Sequence, residues 1–196
     1  MRVVLVVDPM RDDEVFVRQI AERATAGLRR SGHDVDVVDL VAERFWPVMS
    51  ADDRRSYFSD HPLTCVETAA SAALVRRADG LVFVYPTTLS TVPPGLKGWI
   101  ERVFVPGVAF TIGDRTGARR GLSNIRRLTG ITVHPDARRD VMRHGDNGRR
   151  LVCRNIRLCG GLRTTTRWIA MYGGAAATDV ERSAFLDDVE RRMARR

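Results

Sequence analysis

Two histidines lead the set of side chains able to move a proton. His134 and His144 share the short stretch Thr132 to Asp146, and histidine is the residue type that ordinarily exchanges its proton near neutrality. The three cysteines, Cys65, Cys153 and Cys159, form no Cys-x-x-Cys pair. No thiolate metal site is therefore spelled out, and the odd, sparse count argues for a reducing, cytoplasmic setting rather than a disulfide framework. Asp8 closes the first apolar run, and Asp12, Asp13 and Glu14 follow it. Acids there suit the start of a helix, where the dipole favours negative charge. Basic side chains are densest from Arg138 to Arg150, the best place in the sequence for an anionic ligand.

These residues sit on a chain of 196 residues, 44% apolar and 29% charged. That is enough to bury the core of one α/β domain spanning residues 1–196. The 32 basic residues exceed the 24 acidic ones, for a formal charge of +8. Lys97 is the one lysine, and the arginines are scattered, often in pairs such as Arg29-Arg30 and Arg76-Arg77. Such scatter describes a solvated surface, not the one-sided basic face of a nucleic-acid binder. No apolar run is long enough to cross a membrane. The N-terminal run stops at Asp8, too soon for a secretory signal core.

The elements alternate. Arg2 to Val7 is a β-branched run, as expected of a strand buried on both faces. Phe16, Ile20, Ala24 and Leu28 recur at i+4 on one helix face, and Ser31-Gly32 closes that helix. Strands are expected over Val35 to Leu40, Leu81 to Tyr85, Arg126 to Val133 and Arg163 to Tyr172. Helices are expected from Ser50, over Val66 to Ala78, over Gly95 to Phe104, over Gly148 to Cys159 and from Thr178. Strand–helix alternation of this kind implies a doubly wound parallel sheet. Ligands of such sheets bind beyond the carboxyl ends of the strands. The informative residues are therefore Asp8 to Val17, Pro86 to Pro94 and Thr132 to Asp146.

The segment from Ala78 to Phe110 carries a specific likeness. Pro93-Pro94-Gly95-Leu96-Lys97-Gly98-Trp99, then Glu101-Arg102-Val103-Phe104, then Gly107-Val108-Ala109-Phe110, resembles the NAD(P)H quinone reductase (DT-diaphorase-like) family. Asp39-Leu40, Phe45-Trp46-Pro47-Val48-Met49-Ser50 and His144-Gly145-Asp146 resemble further family stretches. The resemblance implies a flavodoxin-like three-layer α/β sandwich with a five-stranded parallel sheet in the order 2-1-3-4-5. It also implies a homodimer that binds FAD, or FMN in some branches, and passes hydride from NAD(P)H through the flavin to a quinone or related aromatic acceptor.

Site residues follow from the same resemblance. The phosphate loop corresponds to Asp8, Pro9, Arg11, Phe16 and Val17, two residues longer than the family's and with Asp8 in place of a histidine. The loop beside the flavin edge corresponds to Pro86, Thr87, Thr88, Leu89 and Ser90, with Thr88 and Leu89 where the family has tryptophans. The third loop corresponds to Thr132 and Val133, followed by His134-Pro135 where the family has two glycines. His144, with His134, is expected to supply protons. Lys97 belongs to the structural Leu-Lys-Gly-Trp match rather than to chemistry. No metal is expected. The altered loops leave a second reading open: a flavin-free family member that binds or transforms a small aromatic ligand in the former flavin slot.

Overall fold

The protein is described here by a computed structural model that covers residues 1–59, 61–63, 65–113 and 117–195. Seven strands and eight α-helices follow one another among these residues: β1 (Arg2–Val7), α1 (Val15–Arg30), β2 (Asp34–Asp39), α2 (Ala51–Ser56), α3 (Val66–Arg77), β3 (Gly80–Pro86), α4 (Pro94–Val103), β4 (Phe110–Gly113), β5 (Gly117–Arg120), β6 (Arg127–Val133), α5 (Arg138–His144), α6 (Asn147–Arg150), α7 (Arg157–Cys159), β7 (Thr165–Met171) and α8 (Asp179–Met193). The main sheet has five strands in the order β2-β1-β3-β6-β7, and all its pairs are parallel. With the β4–β5 pair set aside, this is the expected 2-1-3-4-5 order.

Parallel strands covered on both sides bury every side chain, which is why β1 is apolar without alternation. Val4, Val6, Phe83 and Leu128 point to one face and pack with Trp99 and Val103 of α4 and Ala72 and Val75 of α3. Val3, Leu5, Val82, Ile131 and Ile169 point to the other, under Ile20 and Ala24 of α1 and Val189 of α8. Burying such side chains is worth about 1.5–3 kcal/mol each, so these two layers fix where the strand ends emerge.

The helix starts follow local chemistry. Ser50 accepts from Asp53 N–H while Asp53 returns a bond to Ser50 N–H, and Thr178 and Glu181 do the same for α8. The Leu96-Lys97-Gly98-Trp99 motif is structural, as read. Trp99 is fully buried, with its indole N–H on Ser71 Oγ at 3.1 Å, and Lys97 pairs with Glu101 at the surface. A Cβ on Gly98 would stand 2.2 Å from the Pro47 carbonyl, so only glycine lets the Phe45-Trp46-Pro47 stretch lie against α4.

Three local expectations differ. The stretch after α4 forms an antiparallel hairpin, β4–β5, that the apolar pattern did not announce. Thr132 to Asp146 contains helix α5, which buries only Val141 and has no side-chain cap. Gly148 to Cys159 is helical throughout, but Leu151–Ile156 winds as a π-helical turn between α6 and α7.

Candidate functional site

The carboxyl ends of β3, β6 and β7 and the start of α1 enclose a cavity of about 210 Å³. It lies beside the point where the chain crosses from one side of β1 to the other, the usual ligand position of an open α/β sheet. Phe16 and Val17 enter from α1, Pro86 and Thr87 from β3, Val133 and Pro135 from β6, Gly174 from the turn after β7, and Arg182 from α8. Of the expected binding residues, the structure therefore gathers Phe16, Val17, Pro86, Thr87 and Val133 around one space. Thr132 stands behind it, fully buried, its hydroxyl 2.7 Å from that of Thr87.

Asp8 does not line this cavity. Its carboxylate is buried and accepts from Met10 N–H at 2.9 Å and from Leu96 N–H at 2.6 Å. It thus acts as a cap on α4 from a distant strand. Gly95 makes room for it, since a Cβ there would sit 2.4 Å from Asp8 Oδ2. Burial pushes the Asp8 carboxyl above its ordinary range, against the two amide bonds that lower it. Pro9 is buried beside it, and Arg11 turns outward to Asp13 at 2.9 Å. Asp12 lies 3.9 Å from Arg18. Two of the acids before α1 therefore have cationic partners and do not cap the helix. Glu14 occupies the cap position without a side-chain hydrogen bond, which leaves the first amides of this helix uncapped next to the cavity.

Arg182 was not singled out by the sequence. Its guanidinium lies over the Phe16 ring, 5.0 Å from the centroid. Nε and Nη2 donate to the carbonyls of Ala177 and Gly174 at 3.3 and 3.2 Å. It forms no ion pair among the described residues, so a fixed cation faces the space beside uncapped helix amides. The Thr178-x-x-Glu181 cap marks the start of the last helix, but nothing in the sequence marks Arg182 itself.

The Thr88–Ser90 loop closes as a two-residue turn, with Thr88 and Thr91 exchanging backbone bonds at 3.1 and 2.9 Å. Leu89 and Ser90 both adopt positive φ, 45° and 60°, a conformation that non-glycine residues enter at a cost of about 1–3 kcal/mol each. The Ser90 carbonyl takes Asn147 N–H at 2.8 Å and so ties the turn to α6. Leu89 at its tip is 98% exposed.

The two histidines part company. His144 ends α5 and is exposed; among the described residues nothing brings it to His134. His134 is buried, stacked on Tyr172 at 5.0 Å and 13°. Its Nε2 lies 3.3 Å from Asp146 Oδ2, out of line for a hydrogen bond, and neither atom has another partner among the described residues. Asp146 was not singled out either; its Oδ1 caps α6 through Arg149 N–H at 2.8 Å. Tyr85 adds a buried, unpartnered hydroxyl, and burial together with the Asp146 charge pushes that phenol upward. The arginines of the basic stretch Arg138 to Arg150 are exposed on α5 and α6 and line neither this cavity nor another among the described residues. No group of residues suited to a metal ion occurs among the described residues.

This architecture agrees with known relatives. A family described as having a flavodoxin-like fold matches residues 1–144, and the chain belongs to it. Among its relatives, NAD(P)H dehydrogenase [quinone] 1 of Cavia porcellus is 32% identical over 126 residues, 57% of this chain and 46% of that protein. The chain thus spans about half the length of the curated relatives it matches. Smu.1420 from Streptococcus mutans UA159 superposes with a TM-score of 0.83 at 25% identity, covering 99% of both chains. An NAD(P)H:quinone oxidoreductase from Methanothermobacter marburgensis has the same fold, with a TM-score of 0.80, 23% identity and coverage of 99% and 96%.

Proposed function

We propose that this chain is a flavin-dependent NAD(P)H oxidoreductase that reduces a quinone or related small aromatic acceptor. The carrying observation is the pairing of Arg182 with the uncapped amides of α1 at the carboxyl-end cavity. A helix N-terminus and a guanidinium are the donor set that holds a phosphate, and both FMN and FAD carry one beside the ribityl chain. Phe16, Val17 and Thr87 wall that end of the space. When bound, the flavin accepts hydride from a nicotinamide and returns two electrons to the acceptor. His134 sits behind the ring-binding loop with Asp146 at 3.3 Å, so a proton on this imidazole has a carboxylate beside it. Leu89, held out on its strained turn, offers an apolar edge to an aromatic acceptor in place of the family's rings.

The chain's groove between α4 and the π-helical turn, about 620 Å³ and lined by Tyr57, Ile100, Phe104, Phe110 and Leu151 among others, supports a homodimer. A second copy there would cover apolar surface. The carboxyl-end cavity, at about 210 Å³, is smaller than the ~300–1,000 Å³ of ordinary ligand sites. That small volume also favours a second reading, a family member that takes a small aromatic ligand without flavin.

Titration with FMN and with riboflavin separates these readings. Arg182→Gln is expected to weaken FMN about tenfold or more, the worth of a charge-assisted bond, and to leave riboflavin unchanged. Equal affinity of both proteins for FMN would remove Arg182 from the phosphate site. Failure of the wild type to hold either flavin would favour the second reading.

A further inference from the structure

The opposite end of the sheet carries a second cavity, of about 230 Å³. Its floor is the amino end of β1, β3, β6 and β7, and its roof is the C-terminal ends of α1 and α8. Val3, Leu28 and Met193 give it an apolar wall, while Arg127, Arg167 and Arg195 stand around it. Among the described residues no acidic one lines it. None of these three arginines forms an ion pair among the described residues, although arginines elsewhere on the surface do so repeatedly.

Such a cluster is unfavourable by itself. Like charges repel across a partly enclosed space, and guanidinium groups lose hydration there. The effect is visible on Arg167, which burial and then the charges of Arg127, Arg192 and Arg195 push below the ordinary arginine range. Local duty accounts for little of it. Arg167 gives one donor to the Arg192 carbonyl at the end of α8, and the side chains of Arg127 and Arg195 have no hydrogen-bond acceptor among the described residues. Arg192 itself is satisfied by Asp188 at 2.6 Å. An anion would offset this charge, and the wall behind it is apolar.

We propose that this cavity binds a small organic anion, a carboxylate or phosphate ester bearing an apolar group, with Arg127, Arg167 and Arg195 on the charged head and Val3, Leu28 and Met193 on the tail. The guanidinium fork matches both head groups, and Thr129 and Thr165 add hydroxyls to the lining. The site is separate from the carboxyl-end cavity, since the two share no residue.

The test is calorimetric titration of the full chain at low salt with hexanoate, with butyl phosphate and with 1-hexanol. At least one anion is expected to bind saturably at a site that survives Arg182→Gln, and the alcohol is not. The tighter anion identifies the head group. The double variant R127Q/R167Q is expected to bind about tenfold or more weakly, the loss of charge-assisted bonds. Arg182→Gln removes the phosphate donor proposed in the other cavity and is expected to leave one anion site per chain. If the double variant does not fold, Arg195→Gln, at an exposed position, is expected to weaken binding in the same direction. Absence of saturable anion binding, equal binding of the alcohol, undiminished binding in the Arg127, Arg167 or Arg195 variants, or loss of all anion binding in Arg182→Gln would each overturn the proposal.

Discussion

Asp8 opens the loop that the family resemblance assigns to phosphate, yet its carboxylate turns inward to the Leu96 amide in the first turn of α4. Burial raises its proton affinity in the folded state. The folded value therefore exceeds the unfolded one, so this group favours folding at acid pH, and that contribution is lost as pH climbs through the raised value. Asp8→Asn removes the titration while keeping an acceptor for Leu96 N–H. Denaturant unfolding of both proteins at about pH 3 and about pH 7, either side of the ordinary carboxylate range, is expected to show the wild type losing ground to the variant as pH rises. A constant difference would mean that burial does not govern this carboxyl. The inward turn was not legible in the sequence, because it depends on Gly95 arriving from a segment far along the chain. Arg182 escaped notice for the same reason. An arginine in a charged helix carries no motif, and its place over Phe16 exists only once α1 and α8 pack.

At the scale of elements, periodicity and capping carried most of the fold. β1 and β3 are continuous apolar runs, and the caps at Ser50 and Thr178 open their helices where expected. What escaped were elements with little buried surface. α5 buries one residue and lacks a capping side chain, so neither signal existed to be read. The β4–β5 hairpin lies outside the main sheet and has no core-facing pattern. The π-helical turn changes the helical repeat inside a stretch whose composition gives no warning. Close approach, by contrast, was written in a single glycine. Gly98→Ala would drive a methyl to 2.2 Å from the Pro47 carbonyl, and forced overpacking of this kind costs about 1–3 kcal/mol. The urea midpoint is expected to fall accordingly; an unchanged midpoint would show that the Pro47 stretch can move aside.

For the whole molecule, the resemblance seen in Leu96-Lys97-Gly98-Trp99 anticipated the family and the sheet order. It did not anticipate how the site is rebuilt. Uncapped helix amides and Arg182 stand at the end proposed for phosphate, and His134, with Asp146 beside it, stands where the family resemblance puts a glycine. The two cavities at opposite ends of the sheet also follow from one architecture, since helix starts gather at the carboxyl end and helix ends at the amino end. The apolar groove beside α4 leads to an expectation about assembly. Sedimentation equilibrium should return twice the chain mass, and a mass equal to one chain across the micromolar range would leave that groove without a second copy. The most direct test of the central claim is the visible absorption spectrum of the protein after incubation with FMN or FAD and desalting. A retained flavin spectrum that bleaches with NAD(P)H and returns on adding 1,4-benzoquinone is the predicted result. A colourless protein after both incubations would contradict it.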